Sequence, residues 1–177
     1  MIILLDFETT GLTLPSSSDL ELQPHIIEIG AIKVNDKGSV VQEFGELIDP
    51  KMEISAEITK ITGIKPEQLK GKRVIEEVLP ELADFFLGAH TLVAHNLAFD
   101  RDVLYFELLR YGWERRFPFP PNQVCTVDST MHMKGRRLKL VELYEITQGK
   151  PLAQTHRAVD DVRALWECYK VLNDNKV

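Results

Sequence analysis

The hydrophobic pattern of this chain switches between strand-like and helix-like periods. Ile2 to Leu5 is an unbroken aliphatic run bounded by Thr9-Thr10-Gly11, which predicts a strand buried on both faces at the centre of a sheet. Ile26 to Val34 and Val40 to Ile48 are rich in β-formers and flank the turn signal Asn35-Asp36-Lys37-Gly38-Ser39, so they predict an antiparallel hairpin beside the first strand. The polar stretch Leu14 to Pro24 between them reads as a surface loop. Ser55 is placed to cap a helix over Ala56–Thr62 that Gly63 stops. A second helix over Val74–Leu87 has an apolar face of Val74, Val78, Leu82, Phe85 and Phe86, with Pro80 as a local irregularity. Thr91–Ala94 then predicts a short strand, Ala98–Tyr111 a helix ended by Gly112, and the three prolines of Phe117–Pro121 an extended connector. Val124–Val127 reads as a last strand, and Leu140–Gln148 and Ala158–Leu172 as closing helices. An initial meander followed by alternating strands and helices predicts an α/β fold, a mixed five-stranded sheet flanked by helices.

Two carboxylates interrupt the first apolar pattern. Residues two apart in a strand project to the same side, so Asp6 and Glu8 stand together, roughly 7 Å apart at the backbone. Unpaired, they repel each other and one takes up a proton near neutral pH; a divalent cation removes the conflict, and Mg²⁺ and Mn²⁺ prefer such oxygen ligands. Taken alone, the pair is equally well read as two solvated turn residues beyond a strand that ends at Leu5.

Size and charge narrow the classes. The 177 residues are 44% hydrophobic and 27% charged, as expected of one folded domain spanning 1–177. The apolar start is too short and lacks the basic flank of a signal peptide, and no run is long enough to span a membrane, so a cytoplasmic location is expected. Cys125 and Cys168 are too few for a disulfide framework or a zinc ligand set. Acids outnumber bases, 27 to 21, for a formal charge of −6. That excludes gripping nucleic acid by bulk charge alone but not a metal-dependent nuclease, because two divalent ions would move the balance to about −2.

Periodicity sorts some of the remaining acids. In the last helix Ala158, Asp161, Leu165, Cys168 and Leu172 form one stripe beside Val159, Val162, Trp166 and Tyr169, so Asp161 falls on the buried face and Asp160 on the charged one near Arg163. A buried carboxylate must be paired, neutralised or bound to metal. Asp100 lies in the first turn of its helix, but periodicity does not separate it from Asp102. His156 would stand about 140° from Asp161 if it were helical, so the two converge only if His156 belongs to the preceding loop.

Three segments, Asp-Phe-Glu-Thr-Thr-Gly-Leu from Asp6, His-Asn-x-x-Phe-Asp ending at Asp100, and His-x-Ala-x-x-Asp from His156 to Asp161, resemble in order and spacing the three motifs of the DnaQ-like 3′–5′ exonucleases of the DEDDh group. The likeness extends through Ile26 to Ala31 and Ile61-Thr62-Gly63-Ile64 and includes the exonuclease domain of DNA polymerase III epsilon subunits. It implies a ribonuclease-H-like sheet, and it favours Asp100 over Asp102 and Asp161 over Asp160.

By the same resemblance Asp6, Glu8, Asp100 and Asp161 hold two divalent cations, Mg²⁺ or Mn²⁺, about 3.5 to 4 Å apart, and His156 takes the proton from the attacking water. Thr9, Thr10 and Leu12 would contact the terminal nucleoside of a single-stranded 3′ end, with Phe99 as an apolar wall. The expected reaction is 3′–5′ digestion of single-stranded DNA to nucleoside 5′-monophosphates. Because the chain ends soon after its final helix, a free-standing enzyme is expected over a proofreading subunit bound to a DNA polymerase. An RNA exonuclease and a catalytically silent nucleic-acid-binding module are the alternatives, the latter disfavoured because all four acids and the histidine are present. Lys134, Arg136, Arg137 and Lys139 could follow a phosphate backbone or form a solvated loop.

Overall fold

The first apolar run is the middle strand of the sheet. The computed structural model describes residues 1–15, 18–153 and 157–174. β1 (Ile2–Thr9) continues through both acids because β2 (Ile26–Val34) pairs with it antiparallel along its length, Asp6 opposite Gly30 and Glu8 opposite Glu28. β3 (Val40–Leu47) returns antiparallel to β2 as an edge strand, the turn closed by the Asn35 carboxamide accepting the Lys37 and Ser39 amides at 3.0 Å each. β4 (Thr91–Ala94) runs parallel to β1 and β5 (Asn122–Cys125) parallel to β4, giving the order β3-β2-β1-β4-β5 among the described residues.

Helices cover both faces. On one side Ile3, Leu5 and Phe7 with Ile29, Ala31 and Leu92 pack against α3 (Ile75–Phe86) and α4 (Leu97–Arg110). On the other Leu4, Ile32, Val34 and Val93 pack against Val162, Leu165, Trp166 and Tyr169 of α7 (Ala158–Asp174). Such burial of aliphatic side chains is the main stabilising term, at about 25 cal/mol per Å² of apolar surface. The α1 helix (Ala56–Thr62) has the expected limits, Ser55 accepting the Ile58 amide at 3.2 Å and Gly63 ending it at φ 71°. α2 (Pro66–Leu69) is a single turn, α6 is Leu140–Gln148, and Leu20–Leu22 forms a 3₁₀ turn. No helix among the described residues is long and apolar enough to cross a membrane.

One sequence expectation is corrected. The strand expected over Val124–Val127 lies at Asn122–Cys125, and Thr126 opens α5 (Thr126–Lys134). The pairing explains the shift: Cys125 is opposite Ala94, where β4 ends, so no partner remains for Thr126 and Val127. Their β-branched side chains are buried in the helix instead, and Thr130 donates back to the Thr126 carbonyl at 2.7 Å. Lys134, the first of the four clustered basic residues, is the last residue of this helix.

Candidate active site

Asp6 and Glu8 share the side of β1 that carries Leu4, so they face α7. Directly opposite Asp6, Gly30 lets the helix settle onto the sheet: a Cβ on Gly30 would come 2.2 Å from the Ala158 carbonyl carbon. Asp161 lies in the first turn of α7, and the carboxylate oxygens of Asp6, Glu8 and Asp161 all lie within 4.8 Å of one another. Three acids from the two ends of the chain thus meet, each retaining partial exposure to solvent.

Asp100 approaches from the other helix layer. β1 runs on to Thr9 while its parallel partner β4 pairs only with Ile2, Ile3 and Leu4, which leaves the Phe7 amide without a strand on that side. The chain turns at Asn96, in the left-handed region at φ 80°, enters α4, and places the Asp100 carboxylate where it accepts the Phe7 N–H at 3.1 Å. Asp100 is 2% exposed. Asp102 is not part of this cluster: its side chain is 47% exposed and pairs with Arg101 at 3.2 Å. Asp160 likewise stands outside, 41% exposed and paired with Arg163 at 3.0 Å.

The proximity shows in the titration of these groups. Burial, then the charge of Asp161 and then that of Glu28, push the Asp6 carboxyl up to about 7. Burial followed by Asp6, Asp161 and Glu28 pushes Glu8 to about 8. Asp100 is raised well above the usual range by burial and then by Asp6. A set of hard oxygen donors that resist carrying their charges together fits a divalent cation, which supplies the missing positive charge.

The folded-state values lie above the ordinary carboxylate range, so between about pH 4 and pH 8 the native protein holds protons that the unfolded chain has released. The contribution of this cluster to stability is full below the unfolded values and is lost as pH rises through the folded ones. The melting temperature of the chelated protein is therefore expected to fall between pH 5 and pH 8 through this cluster, and Mn²⁺ is expected to raise it most at the alkaline end. A Mn²⁺ effect that is equal at both pH values contradicts the assignment.

The family model RNase_T, described as an exonuclease, matches residues 3–169. The chain belongs to this exonuclease family, of the DnaQ-like 3′–5′ type. It is 36% identical over 168 residues to the PolC-type DNA polymerase III of Clostridium perfringens, covering 95% of this chain and 11% of that protein. The chain thus spans about a tenth of the length of that relative. Exonuclease X, solved in complex with 5′ overhanging duplex DNA, superposes with a TM-score of 0.71 at 25% identity over 100% of this chain and 94% of that one. The nuclease domain of the DEDDh family member 3′hExo, bound to rAMP, shares the fold, with a TM-score of 0.73 at 19% identity over 98% of this chain and 92% of that one.

Around the acids, the exonuclease spends several expected contact groups on its own structure. The Thr9 hydroxyl donates to the Gly11 carbonyl at 2.7 Å, and Thr10 makes a reciprocal pair with His25, its amide donating to the His25 carbonyl and its hydroxyl accepting the His25 amide, both at 2.9 Å. The segment behind them is anchored by α4: Arg110 donates to the Leu20, Gln23 and Pro24 carbonyls, and buried Glu107 accepts the Ile26 amide at 3.1 Å and faces His25 at 3.3 Å. Leu12 projects freely at 82% exposure, whereas Phe99 is half-buried against the core. Of the basic cluster, Arg136 pairs with Glu142 at 2.5 Å and Arg137 donates to the Asn96 side chain. His95 bridges the Thr126 hydroxyl and the Leu138 carbonyl, both at 2.9 Å, and burial lowers its pKa. His156 lies outside the described residues.

One acid of the site was not singled out from the sequence. Glu28, 2% exposed, faces Glu8 across the β1–β2 pair and raises both Asp6 and Glu8. Its signal was legible as a lone carboxylate within Ile26-Ile27-Glu28-Ile29.

Proposed function

We propose that the chain, as one exonuclease domain over 1–177, removes nucleotides from the 3′ end of single-stranded DNA and releases nucleoside 5′-monophosphates with the help of two divalent cations, Mg²⁺ or Mn²⁺. The observation that carries this reading is the meeting of Asp6, Glu8 and Asp161 within 4.8 Å, with Asp100 against the same strand. Asp6, Glu8, Asp100 and Asp161 would hold the ions. When bound, such ions make water acidic enough to attack near neutral pH, shield the phosphate and stabilise the departing oxygen.

The remaining roles belong to the chain itself. The Phe7 amide orients the Asp100 carboxylate. His156 is the general base of this reading, a role that suits imidazole as a side-chain type. Exposed Leu12 suits an apolar wedge against the terminal base, and Phe99 a wall beside it; Thr9 and Thr10 would hold the turn between them. The DNA in the Exonuclease X complex supports DNA as substrate.

The test uses matched oligonucleotides labelled at the 5′ end, one with a free 3′ hydroxyl and one closed by a 3′ phosphate. Stepwise shortening of the first with Mg²⁺ or Mn²⁺, slowed by the block and yielding 5′-monophosphates, is expected. Internal cuts at the same rate in both overturn the polarity, and faster turnover of a matched RNA overturns the DNA preference.

A second reading, action with a DNA polymerase in proofreading, is favoured by the 36% identity to a PolC-type polymerase. Co-purification with a polymerase would support it over a free-standing enzyme.

A further inference from the structure

β2 is buried along its whole length, and it carries two charged side chains, Glu28 and Lys33. Lys33 finds a partner at the end of α3, donating to the Leu87 carbonyl at 2.7 Å. Glu28 is more costly. It loses water on burial and adds negative charge beside Asp6 and Glu8, two acids that already repel each other. An aliphatic residue would suit the strand better on both counts.

The bonds of Glu28 show what it does hold. Its Oε1 accepts from Arg157 Nε at 2.7 Å and lies 2.6 Å from Arg157 Nη2, while its Oε2 accepts the Ala158 amide at 3.2 Å. Ala158 is the first residue of α7, and its amide is one of the N–H groups that a helix cannot satisfy internally. The carboxylate therefore caps the helix from a neighbouring strand and grips the residue before it. Gly30, two residues along β2, supplies the flat surface on which the same turn rests. Asp161 follows Ala158 by three residues, roughly 4.5 Å along the axis, so its position against β1 is set by where that turn is fixed.

We propose that Glu28 is a positioning residue of this exonuclease: through the Arg157 guanidinium and the Ala158 amide it fixes the first turn of α7 and so sets Asp161 against Asp6 and Glu8. Both carboxylate oxygens already serve donors, which assigns Glu28 to holding the helix and not to the ligand set. The inference rests on the metal-dependent reading above, but Mn²⁺ affinity measured without nucleic acid tests it apart from digestion.

The experiment compares the whole chain with Glu28→Gln, Arg157→Gln and the double variant, by calorimetric titration with Mn²⁺ and by kcat and KM on a 3′-labelled oligonucleotide. Each single variant is expected to weaken Mn²⁺ binding and lower kcat by about 10- to 100-fold. KM is expected to stay within about twofold, since the lost interaction acts on the reacting centre and not on the bound strand. The double variant is expected to be no worse than the worse single one, because both break the same link. Wild-type Mn²⁺ affinity in Glu28→Gln, or losses that multiply in the double variant, overturns the proposal. If Glu28→Gln does not fold, Arg157→Gln decides alone, its side chain being half-exposed, and unchanged Mn²⁺ affinity there overturns it. A wild-type chain that binds Mn²⁺ without digesting DNA counts against the proposed function, and Glu28 is then judged by the Mn²⁺ titrations. A wild-type chain that binds no Mn²⁺ removes both.

Discussion

Asp6→Asn is expected to slow Mg²⁺-dependent release of nucleotides from a 3′-labelled oligonucleotide by about a thousandfold, roughly 4 kcal/mol of transition-state stabilisation, while raising the melting temperature of the chelated protein at pH 8. The opposite signs share one origin. Asp6 is the acid whose charge raises both Glu8 and Asp100, and Asp161 and Glu28 in turn raise Asp6. An amide of the same shape removes that repulsion, so the folded state gains. The same change deletes an anionic ligand from the centre of the cluster, which asparagine cannot replace for a hard divalent ion. An acid kept for structure would give the reverse pattern, a lower melting temperature with activity retained in the surviving folded fraction. Digestion at the wild-type rate in Asp6→Asn removes the site from the reaction.

The sequence marks some of these features and not others, for physical reasons. The period-two spacing of Asp6 and Glu8 and the helical stripe of Asp161 are local, and both have the orientation that periodicity predicts. Asp100 and Asp102 stay ambiguous in the sequence because what separates them is remote: β4 stops at Ala94, so the Phe7 amide lacks a strand partner, and only Asp100 reaches it. The misplaced final strand has the same kind of cause. Propensity favours extended backbone through Val127, but a parallel strand ends where its neighbour ends, and Cys125 is opposite the last residue of β4. Glu28 escaped notice for a related reason, since an isolated acid in an apolar run acquires its meaning from Arg157, 129 positions further along the chain. Asp6, Glu8 and Asp161 were thus legible by type and by face, Asp100 by type alone. Their convergence depends on how α7 meets β2.

That meeting gives the second large effect. Gly30→Ala is expected to destabilise the protein by about 3 kcal/mol or more, lowering the melting temperature by roughly 10 °C, and to weaken Mn²⁺ binding as well. The added Cβ would stand 2.2 Å from the Ala158 carbonyl carbon and 2.5 Å from both the Ala158 carbonyl oxygen and the Val159 nitrogen. All three are backbone atoms of α7, so no rotamer change relieves the clash and the helix must lift off β2, carrying Asp161 away from Asp6 and Glu8. Gly45 is opposite Gly30 on β3 and provides the internal control. A Cβ there meets the Val159 Cγ2 at 2.8 Å, a side-chain atom that can turn aside, so Gly45→Ala is expected to cost about 1 kcal/mol and to leave Mn²⁺ affinity unchanged. In a Val159→Ala background the cost of Gly45→Ala is expected to disappear, while that of Gly30→Ala persists. Equal costs at the two glycines, or rescue of both by Val159→Ala, would mean that α7 can shift without loss, and a helix that moves so easily could not be what holds Asp161 in place.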